Sequence, residues 1–469
     1  MRDNKITASI RDAIISAGLK DGMTISFHHH MRNGDYVLNM VMDEIAALGI
    51  KDLTVNATAL FDIHMPLIDH IKNGVVTTLM TDYMSSGLGK IICTGIMENP
   101  VQFRTHGGRP NDIVHGRTPI DLAFVAAPQS DPMGNCTGKY GKSACGSFGY
   151  GIIDAQCAKK TIVITDELVE YPMVGFTVPE VYVDYVVCVD AIGDPNGIVS
   201  GTTRITRDPV GIMMAKTAAR VVEHSGLLKD GFSFQTGAGG ATLAGAKYLK
   251  DIMLEKNIKG SYVMGGITKY IVEMLQAGCF RTILDGQTFD LDSIDSLRND
   301  PRHQEVSLYH YAGPDAGSCI VDSLDVIFAG ATEIDTDFNV NVHTDSNGII
   351  MGGSGGHSDI CAGAKMSVII TPMFRNRLPM ILDRVTTITT PGRDVDVLVT
   401  QGGVAVNPKN VELRERLSAA GLPVIDIHEL QAKAERITGK PQPVPHGDKV
   451  VAEVIYRDGT IIDRIYNTL

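Results

Sequence analysis

The segment HTDSNGIIMGGSGGHSD, residues 343–359, sets two histidines and two aspartates among closely spaced glycines. It could cradle a phosphate, hold a metal ion or form an acyl-transfer pocket. Backbone N–H groups in a glycine turn at a helix N-terminus can stabilise a developing oxyanion without bulky side chains in the way. A second turn, QTGAGG at 235–240, follows the strand-like run FSF and opens a helical stretch. Gly237, Gly239 and Gly240 could stabilise an oxyanion, or could be glycine only because a tight turn requires it.

The phosphate-binding interpretation depends on CTGKYGKS at 136–143, which ends in the Gly-Lys-Ser of a P-loop. The P-loop requires glycine at its first position, where this chain has Cys136. The apolar run before the segment also ends several residues too early. We therefore do not expect a Walker-type nucleotide site.

The metal interpretation depends on three consecutive histidines, His28, His29 and His30. Neighbouring side chains on an extended segment point apart, and no second cluster supplies ligands at a recognised spacing. We expect no metal site, with one of these histidines buried and hydrogen-bonded and the other two solvated. His106, which precedes two glycines, is open to either a structural or a functional role.

Length and composition are typical of a soluble globular protein. With 469 residues it is too long for one hydrophobic core, so at least two domains are expected. No apolar run approaches the roughly 20 residues that cross a bilayer, and the N-terminus has no signal-peptide pattern. The eight widely spaced cysteines indicate reduced thiols in the cytoplasm. The net charge of −12 and the absence of a basic tract argue against nucleic acid as a partner.

The elements that position these loops are repeated along the chain. Five segments of the first half recur in the same order, at a nearly constant separation, in the second half. The pairs are LKDGMTISF (19–27) with LKDGFSF (228–234), GIKDLTV (49–55) with NIKGSYV (257–263), DLAFVAAPQSDPMGN (121–135) with DVIFAGATEIDTDFN (325–339), KKTIVIT (159–165) with KMSVIIT (365–371), and VDYVVCV (183–189) with VDVLVTQ (395–401). We predict a duplicated domain, with one copy at 1–215 and the other at 216–469.

Within each half, short β-branched runs alternate with segments of helical period. Continuous apolar strands of this kind are buried on both faces and suit a parallel sheet. Val37, Val41, Ile45 and Leu48 form one stripe of a helix that should end at Gly49. We therefore predict two facing α/β domains with mainly parallel sheets. VVAEVIYRDGTIIDRIY places Asp-Gly between two alternating runs and predicts a C-terminal β-hairpin.

The motifs resemble those of the acetyl-CoA hydrolase and CoA-transferase superfamily. QTGAGG resembles its Q-x-G-x-G segment, ATEIDTDFNVN and GGSGGHSDICAGA resemble its E-I-D…V-N and G-G-x-x-D…G-A segments, and APQSDPMGN resembles its S-P-x-D-x-x-G run. Over nearly the whole chain the sequence is similar to one branch, the α chains of citrate lyase, through FHHHMRNGDYVLN, FRTHGGRP, VDAIGDPNGIVSGTTRIT and ATEIDTDFNVNVHTDSNG. The resemblance implies two CoA-transferase-like domains of the NagB/RpiA-like fold.

The resemblance also implies an activity. An α chain of that family exchanges acyl groups on an acyl carrier protein: acetyl-carrier and citrate give citryl-carrier and acetate. A β chain then cleaves the citryl group to oxaloacetate and regenerates the acetyl-carrier. The thiol belongs to a CoA-derived prosthetic group on the γ chain, the carrier, so this chain would bind no cofactor of its own. Its expected partners are the γ and β chains and further copies of itself within a complex.

This chain lacks the glutamate nucleophile that covalent CoA-transferases have at the corresponding position. His343 occupies its place if FNVNVH is aligned with G-Q-V-N-x-E, and Ser346 does if TDSNG is aligned with S-E-N-G. Without that carboxylate, citrate itself must attack the acetyl thioester, and the released thiolate then opens the mixed anhydride. Orientation of the reactants can supply roughly 7 to 11 kcal/mol of such a barrier.

Two glycine segments and three arginines complete the predicted site. Its catalytic residues are Gly239, Gly240, His343, Ser346 and His357, and its substrate-binding residues are Arg32, Arg104, Arg109, Gly237, Asn347, Gly355 and Gly356. The arginines could bind the carboxylates of citrate in a bidentate way. Either histidine could orient or protonate a carboxylate, or could be a structural residue bonded to the backbone. Asp345 and Asp359 are expected to cap turns or hold loops.

Two other functions are compatible with the sequence. One is a stand-alone CoA-transferase or thioester hydrolase that acts on free acyl-CoA, although no base that would activate water is evident. The other is a metabolite-binding protein without catalysis, whose glycine loops bind a ligand and turn nothing over. Acetate release from acetyl-CoA alone would identify the hydrolase.

Overall fold

The chain folds around two large β-sheets. The structure is a computed structural model that describes residues 4–198, 203–442 and 444–469. The strands are β1 (Ile6–Thr7), β2 (Thr24–Phe27), β3 (Leu53–Ala57), β4 (Val76–Thr81), β5 (Val101–Phe103), β6 (Leu122–Ala127), β7 (Gln129–Ser130), β8 (Cys136–Thr137), β9 (Lys160–Thr165), β10 (Tyr185–Cys188), β11 (Phe234–Thr236), β12 (Gly260–Ile267), β13 (Phe280–Thr288), β14 (His303–Glu305), β15 (Val326–Gly330), β16 (Glu333–Asp335), β17 (Val340–Asn341), β18 (Met366–Ile370), β19 (Phe374–Arg375), β20 (Leu378–Pro379), β21 (Ile381–Leu382), β22 (Val397–Thr400), β23 (Gly403–Val406), β24 (His446–Ile455) and β25 (Ile461–Thr468).

Helices connect the strands and cover the sheets. They are α1 (Ile10–Ala17), α2 (Val37–Ala47), α3 (Leu67–Lys72), α4 (Ser86–Ile92), α5 (Gly108–Val114), α6 (Tyr150–Cys157), α7 (Pro195–Ile198), α8 (Pro209–His224), α9 (Gly240–Glu255), α10 (Lys269–Gln276), α11 (Leu291–Asn299), α12 (Leu308–Ala312), α13 (His357–Gly363), α14 (Val411–Ala419) and α15 (Ile427–Thr438). Short 3₁₀ helices lie at His29–Gly34, Asp62–His64, Glu180–Tyr182, Ile320–Ser323 and Gly392–Asp394. Within the described ranges, no helix is long and apolar enough to cross a membrane.

The two sheets share one strand order. The first runs β1-β10-β9-β6-β2-β3-β4-β5-β24-β25 and the second runs β14-β13-β12-β11-β15-β18-β22-β23. The order from β10 to β5 equals the order from β22 to β14, and the repeated sequence segments contribute equivalent strands. Most pairings are parallel, and β6 is buried along its whole length. The predicted α/β architecture with mainly parallel sheets is therefore confirmed.

A repeated Asp–Asn turn follows the strand at the centre of each half. Asp131 Oδ2 accepts a hydrogen bond from Asn135 Nδ2 at 2.8 Å, and its Oδ1 accepts from the backbone N–H of Asn135 at 3.1 Å. In the second half Asp335 accepts the same two bonds from Asn339, at 3.1 and 2.9 Å. The aspartates and asparagines shared by the two halves thus hold equivalent turns.

Local packing follows the predicted periodicity. Val37, Val41 and Ile45 are fully buried on α2, and burying such a side chain contributes about 1.5 to 3 kcal/mol. The helix ends one residue before Leu48, and Gly49 has the positive φ of 75° that favours glycine at this position. The predicted stripe is confirmed for Val37, Val41 and Ile45, whereas Leu48 is half-buried just beyond the end of the helix.

The two halves of the chain do not divide as simply as the repeats suggest. Residue 215 lies inside α8, which packs against α9, β18 and β22 of the second half. At the C-terminus β24 pairs antiparallel with β25 and parallel with β5 of the first sheet. A division of the chain at 215 therefore cuts a helix and leaves residues 446–469 with the sheet of the other half.

Candidate functional site

A cleft of about 190 Å³ lies where the carboxyl ends of the second sheet meet the first half. Ligands of α/β proteins bind at this edge of a parallel sheet. The second half lines the cleft with Gln235, Thr236, Gly237, Ala238, Gly265, Gly266, Gly286, Gln287, Phe289, Leu308, Tyr311, Ala329, Gly330, Gly356, His357 and Ile360, and the first half adds His106 and Tyr150. Both glycine segments predicted from the sequence therefore reach one cavity.

The first glycine segment connects β11 to α9. The backbone N–H of Gly237 is occupied, because it donates to the Phe328 carbonyl at 2.7 Å. The N–H groups of Ala238, Gly239 and Gly240 donate to no atom within the described residues. They lie at the start of a helix of 16 residues, whose dipole favours negative charge. The donors available to an oxyanion thus begin at Ala238.

The second glycine segment leads into α13. Gly355 has a φ of +48°, and a Cβ atom there would lie 3.3 Å from His106 Nε2. A Cβ atom on Gly356 would lie 2.8 Å from the hydroxyl oxygen of Tyr311. Glycine at both positions therefore gives the loop room to pack directly against these two rings.

His357 lines the cleft, but its hydrogen bonds are those of a structural residue. Its Nε2 donates to the Gly330 carbonyl at 3.0 Å, so Nδ1 accepts from the Thr390 hydroxyl at 2.7 Å. Burial lowers the pKa of His357 to about 4. The ring is neutral at pH 7 and joins α13 to β15.

His343 lies outside the cleft lining. It is fully buried, its Nδ1 lies 2.7 Å from Thr389 Oγ1, and its ring packs edge-on to Phe103. Burial lowers the pKa of His343 to about 3. Its Nε2 has no partner within the described part of the chain. The buried, neutral ring is not placed to act on a group in the cleft.

Ser346 and Asn347 line a different cavity, of about 750 Å³, between their loop and the C-terminal hairpin. Asp345 Oδ1 caps this loop by accepting from the N–H groups of Asn347 and Ile349, at 2.8 and 3.0 Å. The predicted capping role of Asp345 is confirmed. The structure does not bring Ser346 or Asn347 together with Gly237 and the other lining residues of the cleft.

Of the three predicted arginines, Arg32 contacts a residue of the cleft. Its guanidinium lies 4.3 Å from the ring centroid of Phe289, and its buried Nη1 has no partner in the described ranges. Burial lowers the pKa of Arg32 to about 10, which leaves it cationic at pH 7. Its backbone has a φ of 54° and a ψ of −134°, a conformation that costs a non-glycine residue about 1 to 3 kcal/mol.

The other two arginines are engaged in ion pairs. Arg109 is 2% exposed, and its Nη1 and Nη2 each lie 2.8 Å from an Asp154 oxygen. Its Nε donates to Asn56 Oδ1 at 2.7 Å. Arg104 pairs with Asp112 and also donates to Gln102. Neither arginine lines the cleft. The pairing of Arg109 with Asp154 joins α5 to α6.

The sequence did not single out a His–Asp pair at the cleft. His106 Nδ1 lies 3.1 Å from Asp82 Oδ2, and the Asp82 side chain is fully buried. The motif FRTHGGRP makes His106 a candidate, but nothing in the sequence links this histidine to Asp82. The three consecutive histidines are all buried, so the expectation that two are solvated is wrong. One of them, His29, places Nε2 3.2 Å from Gln287 Oε1 at the cleft.

Hydrogen bonds between the halves fix the His106 loop. The two carboxylate oxygens of Asp359 accept from Thr105 Oγ1 and from the backbone N–H of Gly107, both at 2.9 Å. Burial raises the pKa of Asp359 to about 6, against the opposing effect of Arg457. The role of Asp359 in holding a loop is confirmed, and the loop it holds belongs to the opposite half.

Comparisons with known proteins agree over nearly the whole chain. The family model of the citrate lyase alpha subunit matches residues 3–468. The citrate lyase alpha chain of Klebsiella pneumoniae is 47% identical over 464 residues, covering 99% of this chain and 91% of that protein. The corresponding chain of Escherichia coli (strain K12) is 44% identical over 465 residues, covering 99% and 91%.

Solved structures give the same relationship. The alpha subunit of citrate lyase from Streptococcus mutans, solved in complex with citrate, is 48% identical and superposes with a TM-score of 0.98 over 100% of this chain and 92% of that one. The alpha subunit of a malonate decarboxylase from Acinetobacter baumannii shares the fold at a TM-score of 0.68 and 16% identity, over 93% of each chain. The chain belongs to the family of citrate lyase alpha subunits.

Proposed function

We propose that this chain exchanges the acetyl group on an acyl carrier protein for a citryl group, releasing acetate. The observation that carries the proposal is the shared cleft: in a chain of this family, the glycine turn at Gly237 and the loop at Gly356 line one cavity between the halves. The complex of the Streptococcus mutans relative with citrate supports citrate as the acid.

The volume of the cleft is suited to small substrates rather than to a whole CoA molecule. Its volume of about 190 Å³ is below the roughly 300 to 1,000 Å³ typical of pockets that enclose larger ligands. It suits a small acid and the acyl end of a thioester better than an entire CoA. We therefore propose that the chain binds no cofactor of its own, and that the thiol enters from a prosthetic group on the carrier.

Citrate is proposed to attack without a covalent enzyme intermediate. Among the described residues that line the cleft, none is an aspartate or a glutamate. A citrate carboxylate oxygen bonds to the acetyl carbon, and the C–S bond breaks with its electron pair on sulfur. The sulfur then attacks the citryl carbonyl of the mixed anhydride, and acetate leaves with the electron pair of the C–O bond. Thioester and carboxylate are both regenerated.

The backbone supplies the proposed oxyanion donors. The candidates are the N–H groups of Ala238, Gly239 and Gly240 at the start of α9 and that of Gly356, which donate to no acceptor in the part of the chain that the structure describes. One donor of this kind is worth about 10² to 10³ in rate. Arg32 is the proposed cation for a citrate carboxylate because it stacks on Phe289 at the cleft. Ser346 and Asn347 have no proposed role in this chemistry.

The partners proposed are those of the family. The carrier is the γ chain, a β chain cleaves the citryl product, and several copies of this chain assemble within the cytoplasmic complex. We also infer that the two halves arose by duplication. Their common strand order and the two Asp–Asn turns support that origin.

The test combines the purified chain, an acetylated carrier and labelled citrate. The proposal expects labelled citryl-carrier and an equal amount of acetate. A parallel reaction contains acetyl-CoA and no citrate. Steady acetate release there would instead support a thioester hydrolase, and binding without any turnover would support a metabolite-binding protein.

A further inference from the structure

His106 presents a free ring nitrogen at the cleft. Its Nδ1 faces Asp82, while its Nε2 makes no hydrogen bond within the described residues. The side chain is 18% exposed and lines the cleft, whereas the Asp82 side chain is wholly buried beneath it. A buried carboxylate that fixes one nitrogen leaves the other to exchange a proton with a ligand.

The other two histidines near the cleft, His357 and His29, have no ring nitrogen that is available to a substrate. Both nitrogens of His357 are hydrogen-bonded. His29 lies behind the lining, with Nδ1 2.6 Å from Thr58 Oγ1 and Nε2 facing Gln287. Of the two histidines in the described lining, His106 alone therefore has a nitrogen available to a substrate.

Residues of the second half hold the His106 ring in place. The backbone N–H of His106 donates to the Gly355 carbonyl at 2.8 Å, and the N–H of Gly355 donates to the Asp82 carbonyl at 3.1 Å. Any side chain on Gly355 would press on the imidazole, as its Cβ would lie 3.3 Å from Nε2. Asp359 holds both neighbours of His106. The ring is thus positioned before any ligand arrives.

We propose that His106 donates a proton to the carrier sulfur in the first step of the exchange and takes it back in the second, with Asp82 as its positioning residue. The inference rests on the exchange proposed above, which requires a thiolate to leave and to return within one cleft. As the C–S bond of the acetyl thioester breaks, the imidazolium Nε2–H passes its proton to sulfur. The neutral imidazole then removes that proton as sulfur attacks the citryl carbonyl, so no proton is consumed.

Charged and titratable groups of both halves lie around the ring. Asp82 lies below it, and His29 and Tyr150 of the first half pack at centroid distances of 5.9 and 5.0 Å. Asp359 and Tyr311 face it from the second half. Asp82 is the group hydrogen-bonded to the ring, so its removal should change the pH–rate profile.

The experiment measures citryl-carrier formation from acetyl-carrier and citrate by four variants and the unmodified chain. His106→Gln should slow the reaction by about 10² to 10⁴-fold, the range of general acid–base catalysis, with little change in the KM for citrate. His106→Gly should be as slow and should recover on addition of imidazole. Asp82→Asn should change the pH–rate profile, which a merely structural residue would leave unaltered. His428→Gln, at an exposed position, is the control and should match the unmodified chain.

Two results would overturn the inference, and they are distinguishable. If the unmodified chain makes no citryl-carrier, the proposed function fails and the inference fails with it. The unmodified chain could instead be active while the rate of His106→Gln is within about threefold of its rate, or while imidazole does not restore the activity of folded His106→Gly. Either result would exclude only the role of His106. Thermal unfolding of each variant shows whether it is folded.

Discussion

At the scale of single residues, the sequence identifies glycines better than charged partners. The spacing of Gly237 and Gly356 predicts two turns of backbone donors, and both glycines line the cleft. The role of Arg109 could not be predicted, since its partner Asp154 is 45 positions away. The sequence does not decide the role of His106 for the same reason, because Asp82 and Gly355 contact it only in the folded protein.

Arg32 is the predicted cation for citrate, and its substitution should weaken citrate binding. Arg32→Lys keeps the charge but loses the planar stacking on Phe289 and the fork of donors. A charged hydrogen bond worth about 1.5 to 3 kcal/mol corresponds to a rise in the KM for citrate of roughly 10 to 100-fold. Steady-state kinetics against citrate measure it. Arg375→Lys, at an exposed position, is the control, and an unchanged KM in Arg32→Lys would remove Arg32 from the site.

Arg109 should affect stability rather than citrate affinity. Arg109→Met leaves Asp154 buried without its partner, which costs about 3 to 5 kcal/mol in the free energy of unfolding. Denaturant unfolding measures the loss. The double variant Arg109→Met/Asp154→Leu should recover much of it, because no unpaired charge remains. A folded Arg109→Met with normal stability and a raised KM for citrate would contradict the structural role.

At the scale of elements, periodicity predicts the helices well and the strand ends less well. The run FSF at 232–234 predicts a strand, whereas β11 spans Phe234–Thr236. The shift arises from pairing: Phe234 and Thr236 lie opposite Val326 and Phe328 of β15. The sequence around β11 does not show which strand pairs with it. The sequence therefore predicts that a strand exists here but not where it ends.

The end of β15 offers a test of the cleft. Gly330 lines the cleft, and a Cβ atom there would meet nothing within 4 Å. Gly330→Ala should therefore fold normally but project a methyl group into the space for the substrate, and we expect the catalytic efficiency to fall by about tenfold, since a methyl group in a binding pocket is worth about 1 to 3 kcal/mol.

The matched control for this variant is Gly317→Ala. Gly317 also has nothing within 4 Å of a built Cβ atom, but it is exposed and lies outside the cleft. Its activity and thermal stability should equal those of the unmodified chain. Equal activity of the two variants would mean that the substrate does not occupy the space beside Gly330.

At the scale of the whole molecule, the repeats predict two similar sheets but not how the chain closes on itself. The sequence around Asp458-Gly459 predicts the hairpin. Its attachment to β5 is not, because Ala452 and Val101 pair across most of the chain. The same holds for the cleft, which exists only where loops of the two halves interlock.

The link between the halves should show in the pH dependence of stability. Asp359 has a folded-state pKa of about 6 against an ordinary value of 3.8, so the folded state binds its proton more tightly than the unfolded state does. This contribution to stability is complete below about pH 4 and is lost as the pH rises through 6. The loss amounts to about 3 kcal/mol.

Asp359→Asn removes this titration and adds only a pH-independent offset. The difference in unfolding free energy between the unmodified chain and Asp359→Asn should therefore change by about 3 kcal/mol between pH 3 and 7, to the disadvantage of the unmodified chain. Denaturant unfolding at several pH values measures it. A difference that does not vary with pH would show that Asp359 has no raised pKa.

The most direct test of the exchange mechanism follows the oxygen atoms of citrate through a single turnover. The protein is mixed in excess with acetyl-carrier and with citrate whose carboxyl groups contain ¹⁸O, and the released acetate is analysed by mass spectrometry. Direct attack transfers one citrate oxygen to the acetyl carbon, so the acetate should contain one ¹⁸O. Unlabelled acetate, with ¹⁸O in a carboxyl group of the protein, would show that an enzyme carboxylate takes the acyl group first and would contradict direct exchange.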